Sequence, residues 1–284
     1  MSKAQLVIAV LSVSGLALLW SSETEKVSAA RPEWKLAVQA YTFNQFTFFE
    51  AIEKAKAAGI KYIEAYPGQR LSKEDNVPFD HNAPVSFLAK TKNKLDKEGV
   101  KLVAYGVVGL GQNEAENRKV FDFAKVMGIE TITSEPEDGS FDLLDKLTEE
   151  YGINVAIHNH PKPSHYWNPD TVLAAVKGHS KRIGSCADTG HWMRSGVDPM
   201  EALKKLEGRI VSSHFKDLNE MSPGAHDVIW GTGKANARAL LAEFHRQGFK
   251  GVFSIEYEYH WDNSLPEVTD CAKFFYAVTE ELGK

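Results

Sequence analysis

Six apolar runs of this chain end in groups that bind cations or move protons. YIEA brings Glu64, TITSE brings Glu135, and NVAIHNH brings His158 and His160. ADTGH brings Asp188 and His191, SSHFKD brings His214, Lys216 and Asp217, and FSIEYE brings Glu256 and Glu258. Carboxylate oxygens and imidazole nitrogens together suit one hard-to-borderline divalent ion: Mn2+, Co2+, Mg2+ or Zn2+. The same groups can exchange protons near neutral pH. His158 and His160 are two residues apart, so an extended chain points both to one face. Each group also has a plainer use. Asp188 could cap a loop through Thr189-Gly190, His214 could be a satisfied strand histidine, and Lys216 could pair with Asp217 or a nearby carboxylate. The period of two in a strand lets only one of Glu256 and Glu258 face the same site.

These residues need elements that bring their ends together. From Trp34 onward a strand-like run is followed by a helical pattern eight times: 35–43 then 48–59, 62–67 then 85–99, 101–109 then 113–128, 131–136 then 141–152. The series continues with 154–160 then 168–179, 182–192 then 198–208, 209–218 then 235–248, and 252–258 then 265–283. Gly59, Gly99, Gly128, Gly152 and Gly248 stand where a helix would end, the place where the left-handed conformation favours glycine. Strands alternating with helices predict a parallel sheet. Eight units predict one closed (β/α)8 barrel, an α/β fold. An open doubly wound sheet is the competitor, but no glycine-rich phosphate loop follows the first strand. In a barrel the site lies where strands end, and those ends carry the residues above.

The chain has 284 residues, 43% hydrophobic and 25% charged, with net charge −5. That suits a globular domain and gives no basic face for nucleic acid. Cys186 and Cys271 alone make no disulfide framework. The N-terminus runs from MSK through an apolar stretch to Val27-Ser28-Ala29, the order of a secretory signal peptide. The apolar stretch is short for a membrane span of about 20 residues. The expectation is a leader over residues 1–30, a barrel over 31–284, and a secreted or periplasmic protein that meets a membrane only through the leader. A homo-oligomer is compatible with the sequence.

The D-T-G-H run at 188–191, S-H-F-K-D at 213–217 and S-I-E-Y-E at 254–258 together resemble the sugar isomerase/epimerase group. That group belongs to the xylose-isomerase-like TIM barrels, which also include an AP-endonuclease branch. The resemblance spans about residues 35–282. It implies one divalent ion held by Asp188, His214 and Glu256, with His191 contacting substrate. Where the group has a glutamate on the fifth strand, this chain has His158; the remaining ligand is therefore expected from Glu135, His158 or His160. Glu256 is the expected base. His158 or His160 is the expected opposing acid, and Lys216 is a further acid–base or substrate contact, a lysine whose pKa an ion could lower. Glu64, His160, His191 and Trp192 are candidates for substrate contact. Tyr41, Phe43, Tyr66, Tyr105, Trp167, Trp230 and Trp261 join Trp192 as aromatic residues placed for sugar stacking, several of them in core or rim positions.

The implied reaction is proton abstraction beside the carbonyl of a keto sugar, with isomerisation or epimerisation. An unlike acid–base pair also suits elimination of the aglycone from a 3-keto-glycoside, a lyase reaction known among relatives. A nuclease would need histidines on the second and third strands, and EAYPG and AYGVVG have none. A sugar-binding barrel without catalysis shares the fold, and would differ in holding no stoichiometric ion.

Overall fold

The computed structural model describes residues 32–284; the expected leader lies outside the described residues. Eight parallel strands close into a barrel. They are β1 (Lys35–Gln39), β2 (Tyr62–Ala65), β3 (Lys101–Val108), β4 (Thr131–Ser134), β5 (Asn154–His158), β6 (Ile183–Cys186), β7 (Ile210–Phe215) and β8 (Val252–Ile255). Each pairs with its chain neighbours, and β1 closes on β8 with Lys35 opposite Val252 and Val38 opposite Ile255. The expected (β/α)8 barrel is the fold.

The helices are α1 (Phe48–Ala57), α2 (Val85–Glu98), α3 (Glu114–Met127), α4 (Phe141–Tyr151), α5 (Pro169–Ala175), α6 (Thr189–Arg194), α7 (Pro199–Lys205), α8 (Ala237–Arg246) and α9 (Leu265–Leu282). Their ends follow the local sequence. Thr47 and Glu50 close a reciprocal capping box on α1, and Gly99, Gly128 and Gly152 take the left-handed conformation after α2, α3 and α4. A short antiparallel pair, Gln69–Arg70 with Pro78–Phe79, braces the segment after β2. Among the described residues no helix is long and apolar enough to cross a membrane.

One unit departs from expectation. The run 182–192 is not all strand: β6 stops at Cys186, and 189–194 coil into α6. Asp188 causes the break, because its side chain accepts the backbone N–H of His191 and so caps a helix.

Alternation along the strands separates two layers. Leu36, Val38, Ile63, Ile132, Val155, Ile157, Phe215, Phe253 and Ile255 face outward and join Phe48, Phe121, Leu144, Phe244 and Phe275 of the helices in the main core. Each such side chain, fully buried, contributes about 1.5–3 kcal/mol. Inside the barrel, Ala37, Val103 and Val252 form a small apolar floor with Tyr62. Two residues further along, the interior turns polar. Glu64 accepts hydrogen bonds from Thr133 Oγ1 (2.7 Å) and Ser254 Oγ (2.5 Å). The barrel thus rests its mouth on a buried, hydrogen-bonded carboxylate.

Candidate active site

The seam between β5 and β6 positions the first group. His158 ends β5 opposite Cys186. The next residue, Asn159, clamps the backbone of Asp188 from both sides: its amide donates to Asp188 O (3.0 Å) and its oxygen accepts from Asp188 N (2.9 Å). Asp188 is fully buried. Its Oδ1 caps α6 (2.7 Å to His191 N), leaving Oδ2 free to face the mouth. Capping and mouth-facing are two uses of one side chain, not alternatives.

The ends of β7 and β8 supply the second group. Lys216 is fully buried, and its ammonium reaches Asp188 Oδ2 (2.8 Å), Glu256 Oε2 (2.7 Å) and Glu258 Oε2 (3.0 Å). Its stem crosses Gly190 so closely that an added Cβ there would lie 2.8 Å from Lys216 Cβ and Cδ. Glycine at 190 is therefore what admits the lysine. Arg194, on α6, pairs with Glu258 (2.5 Å) and Asp227 (2.8 Å). Below Lys216, His214 Nδ1 meets Glu256 Oε2 at 3.1 Å, and its Nε2 faces Glu64 Oε1 at 3.1 Å without hydrogen-bond alignment.

The charges follow from these contacts. Burial would discharge Lys216, but Asp188, Glu256 and Glu258 outweigh it and hold the ammonium well above the usual lysine range. Burial would raise Glu256, but Lys216 and His214 hold it well below the carboxylate range. Asp188 is depressed in the same way, by His191, Lys216 and His158 against burial. Burial would lower His158, but Asp188 and Glu135 push it up to about 9. Its ring nitrogens lie 3.5 Å from Asp188 Oδ2 and 3.8 Å from Glu135 Oε1, distances of attraction and not of hydrogen bonding. Glu135 itself bonds His160 Nδ1 (2.5 Å) and Ser164 Oγ (2.8 Å). Against burial, these contacts keep it ionised, well below the usual range.

A cavity of about 430 Å³ opens over this array, lined among others by Tyr41, Tyr66, His160, His191, Glu256 and Glu258. Tyr41 meets Tyr66 and Trp261 edge-on, with centroids 5.2 and 5.6 Å apart. The structure gathers most of the expected residues and moves several. Both Glu256 and Glu258 face the mouth, because β8 ends at Ile255 and the period of two stops with it. Lys216 is a held cation and not a lysine of lowered pKa, and it bonds the mouth carboxylates and not Asp217. Asp217 instead accepts the backbone N–H groups of Gly231, Gly233 and Ala235. Glu64 sits beneath His214, its oxygens taken by Thr133 and Ser254, away from the cavity lining. Trp192 is wholly buried in the main core, as are Phe43, Tyr105 and Trp230; α6 turns Trp192 inward while His191 faces the mouth. Sequence reasoning did not single out Asn159 or Arg194. An aspartate cap at 188 would have signalled Arg194, since residues 191 and 194 then share a helix face.

The donor set can be tested for an ion. His158, Asp188, His191 and Glu256 offer ligand atoms that all lie within 4.8 Å of one another. Both ring nitrogens of His158 are buried with no hydrogen-bond partner, which is costly unless something binds there. Mixed nitrogen and oxygen donors suit a divalent ion. His214 is not in this set; its Nδ1 bonds Glu256 Oε2, and its Nε2 faces Glu64 Oε1. Glu135 and His160 are engaged with each other. An ion at Asp188 and Glu256 would meet the Lys216 ammonium, which keeps Glu258 as its partner when displaced. With that movement, the residues fit.

The chain belongs to the xylose isomerase-like TIM barrel family, whose model matches residues 52–277. A solved structure of an uncharacterised protein from Parabacteroides distasonis ATCC 8503 is 34% identical, over 86% of this chain and 98% of that one, with TM-score 0.70. A D-tagatose 3-epimerase-like protein is 19% identical over 87% and 98%, with TM-score 0.66. A xylose isomerase-like barrel from Mycobacterium smegmatis, solved with magnesium, is 14% identical over 89% and 98%, with TM-score 0.69. The last two share the fold. No curated protein matches the chain.

Proposed function

We propose that this protein is a divalent-metal-dependent isomerase or epimerase of a keto sugar, working outside the cytoplasm. The observation that carries the reading is the contrast within one cavity: Glu256, a carboxylate held in its ionised form, and, from a different strand end, His160, an imidazole backed by the carboxylate of Glu135. Glu256 takes the proton from the carbon beside the carbonyl. His160, oriented through Nδ1 by Glu135, presents its other nitrogen to the cavity and returns a proton. In this reading His160 takes the acid role, since His158 lies 3.5 Å from Asp188 and within 4.8 Å of a Glu256 oxygen. A divalent ion, held by His158, Asp188 and Glu256, would supply positive charge to the carbonyl oxygen as negative charge builds there. Lys216, moved onto Glu258, would keep an ammonium behind the site, and Tyr41 and Tyr66 offer apolar faces to the sugar.

The unlike acid and base also support a second outcome. If His160 protonates a β-oxygen leaving group in place of carbon, the same first step gives α,β-elimination of an aglycone from a 3-keto-glycoside. Incubation with Mn2+ and a series of keto sugars and 3-keto-glycosides in heavy water separates the two. The isomerase reading predicts deuterium in recovered sugar, and the lyase reading predicts free aglycone. Neither product from any of them, or full activity in EDTA, would refute the metal-dependent reading. The extracytoplasmic placement is tested separately, by finding whether secreted protein begins near residue 30.

A further inference from the structure

Arg194 Nη1 lies 3.1 Å from His191 Nδ1. A guanidinium has only donors, so the ring nitrogen facing it must carry a lone pair. We propose that Arg194 is a positioning residue that fixes His191 as the Nε2–H tautomer, so that His191 donates a hydrogen bond into the cavity and does not ligate the ion. The inference rests on the mouth being the catalytic site, but it concerns the chain's own side chains and can be read without substrate.

Arg194 cannot turn away from this task. Its Nε donates to Ala225 O (3.2 Å), Nη2 to Asp227 Oδ2 (2.8 Å), and Nη1 spends its other hydrogen on Glu258 Oε2 (2.5 Å). Its side chain is only 11% exposed. On the far side of the ring, Nε2 lies 3.4 Å from Lys216 Nζ. That contact could favour the opposite tautomer, with Nε2 accepting. The arginine contact decides, because it is the shorter, 3.1 against 3.4 Å, and Arg194 is held by three further bonds, whereas Lys216 also donates to Asp188 and Glu258 at 2.8 and 3.0 Å. A hydrogen on Nε2 faces Asp188 Oδ2 at 3.6 Å, beyond hydrogen-bond reach, and is left for a substrate oxygen in the cavity.

The consequence divides the two mouth histidines that stand near Asp188. To ligate through Nε2, His191 would need its hydrogen on Nδ1, pointed at a guanidinium. His158 has no such neighbour on either nitrogen. Proximity alone groups both with Asp188 and Glu256; the arginine selects His158.

The test is the long-range 1H–15N spectrum of the full-length protein labelled with 15N-histidine, with His191 assigned from His191→Gln. The expected result is a single tautomer at His191, Nδ1 bare and Nε2 protonated. Added Zn2+ should shift a His158 nitrogen and leave both His191 nitrogens in place. Arg194→Met should turn the single-tautomer signature into an average of two. A protonated Nδ1 in the wild type, a Zn2+-induced shift at His191 Nε2, or an unaltered tautomer in Arg194→Met would each overturn the proposal. If Arg194→Met does not fold, the wild-type and Zn2+ spectra decide alone. Failure of Zn2+ to bind at all would count against the ion, and the tautomer would still be read.

Discussion

The two sides of the mouth are built on opposite principles. On the β6–β8 side, Asp188, Lys216, Glu256, Glu258 and Arg194 engage one another with contacts of 2.5–3.0 Å, the first three buried and the last two partly so. On the β4–β5 side, Glu135 and His160 are 26% and 46% exposed, and His158 has no hydrogen bond on either ring nitrogen. The closed side holds charges fixed. The open side holds groups that solvent reaches and a histidine left to take a ligand. A catalyst needs both: a base that stays ionised, and a partner that can give up a proton.

Breaking the closed side should have the largest effect. Lys216→Met leaves three carboxylates around an apolar tip, and should lower unfolding stability by about 3–5 kcal/mol, read by urea denaturation. Gly190→Ala forces the lysine stem aside and should cost about 1–3 kcal/mol, with activity falling in step. On the open side the order reverses. Glu135→Gln should slow turnover about 10–100-fold, the usual effect of losing a carboxylate behind a working histidine, yet leave stability nearly unchanged. Equal stability losses on both sides would dissolve the distinction.

The pH dependence sharpens it further. His158 has its pKa raised to about 9 by its carboxylate neighbours, from about 6.5 in the unfolded chain. The stability it contributes is therefore complete below about pH 6.5 and disappears as pH rises through about 9. Urea midpoints in EDTA should fall across that window, and His158→Gln should flatten the fall. A slope that persists in the variant would place the titration elsewhere. The smallest effect belongs outside the mouth. Thr47→Ala removes the α1 cap and should cost about 1 kcal/mol with no change in turnover.

What could be read from the sequence tracks how local its cause is. Eight strand–helix units were legible because apolar spacing and helix-ending glycines are local signals. Asp188, His158 and Glu256 were legible because a barrel brings strand ends together wherever they fall in the chain. The corrections are residues whose fate depends on a break in regular structure. Glu258 turns to the mouth because β8 has already ended, and Trp192 turns to the core because Asp188 starts a helix. Lys216 keeps its charge through carboxylates 28, 40 and 42 residues away, a sum that no window of sequence contains. His214, expected as a ligand, meets carboxylates at both nitrogens, one of them Glu64 on β2, a meeting no local stretch of sequence shows. Asn159 and Arg194 work through contacts with a backbone and a tautomer, which residue type alone does not announce.

The central claim is that Glu256 removes a proton beside a carbonyl. Deuterium wash-in at that carbon, followed by 1H NMR on a substrate the wild type turns over, tests it most directly. The expected result is exchange in the wild type, a loss of about 10²–10⁴-fold in Glu256→Gln, and exchange retained more than turnover in His160→Asn, since the acid acts after the proton has left. Undiminished exchange in Glu256→Gln would contradict it.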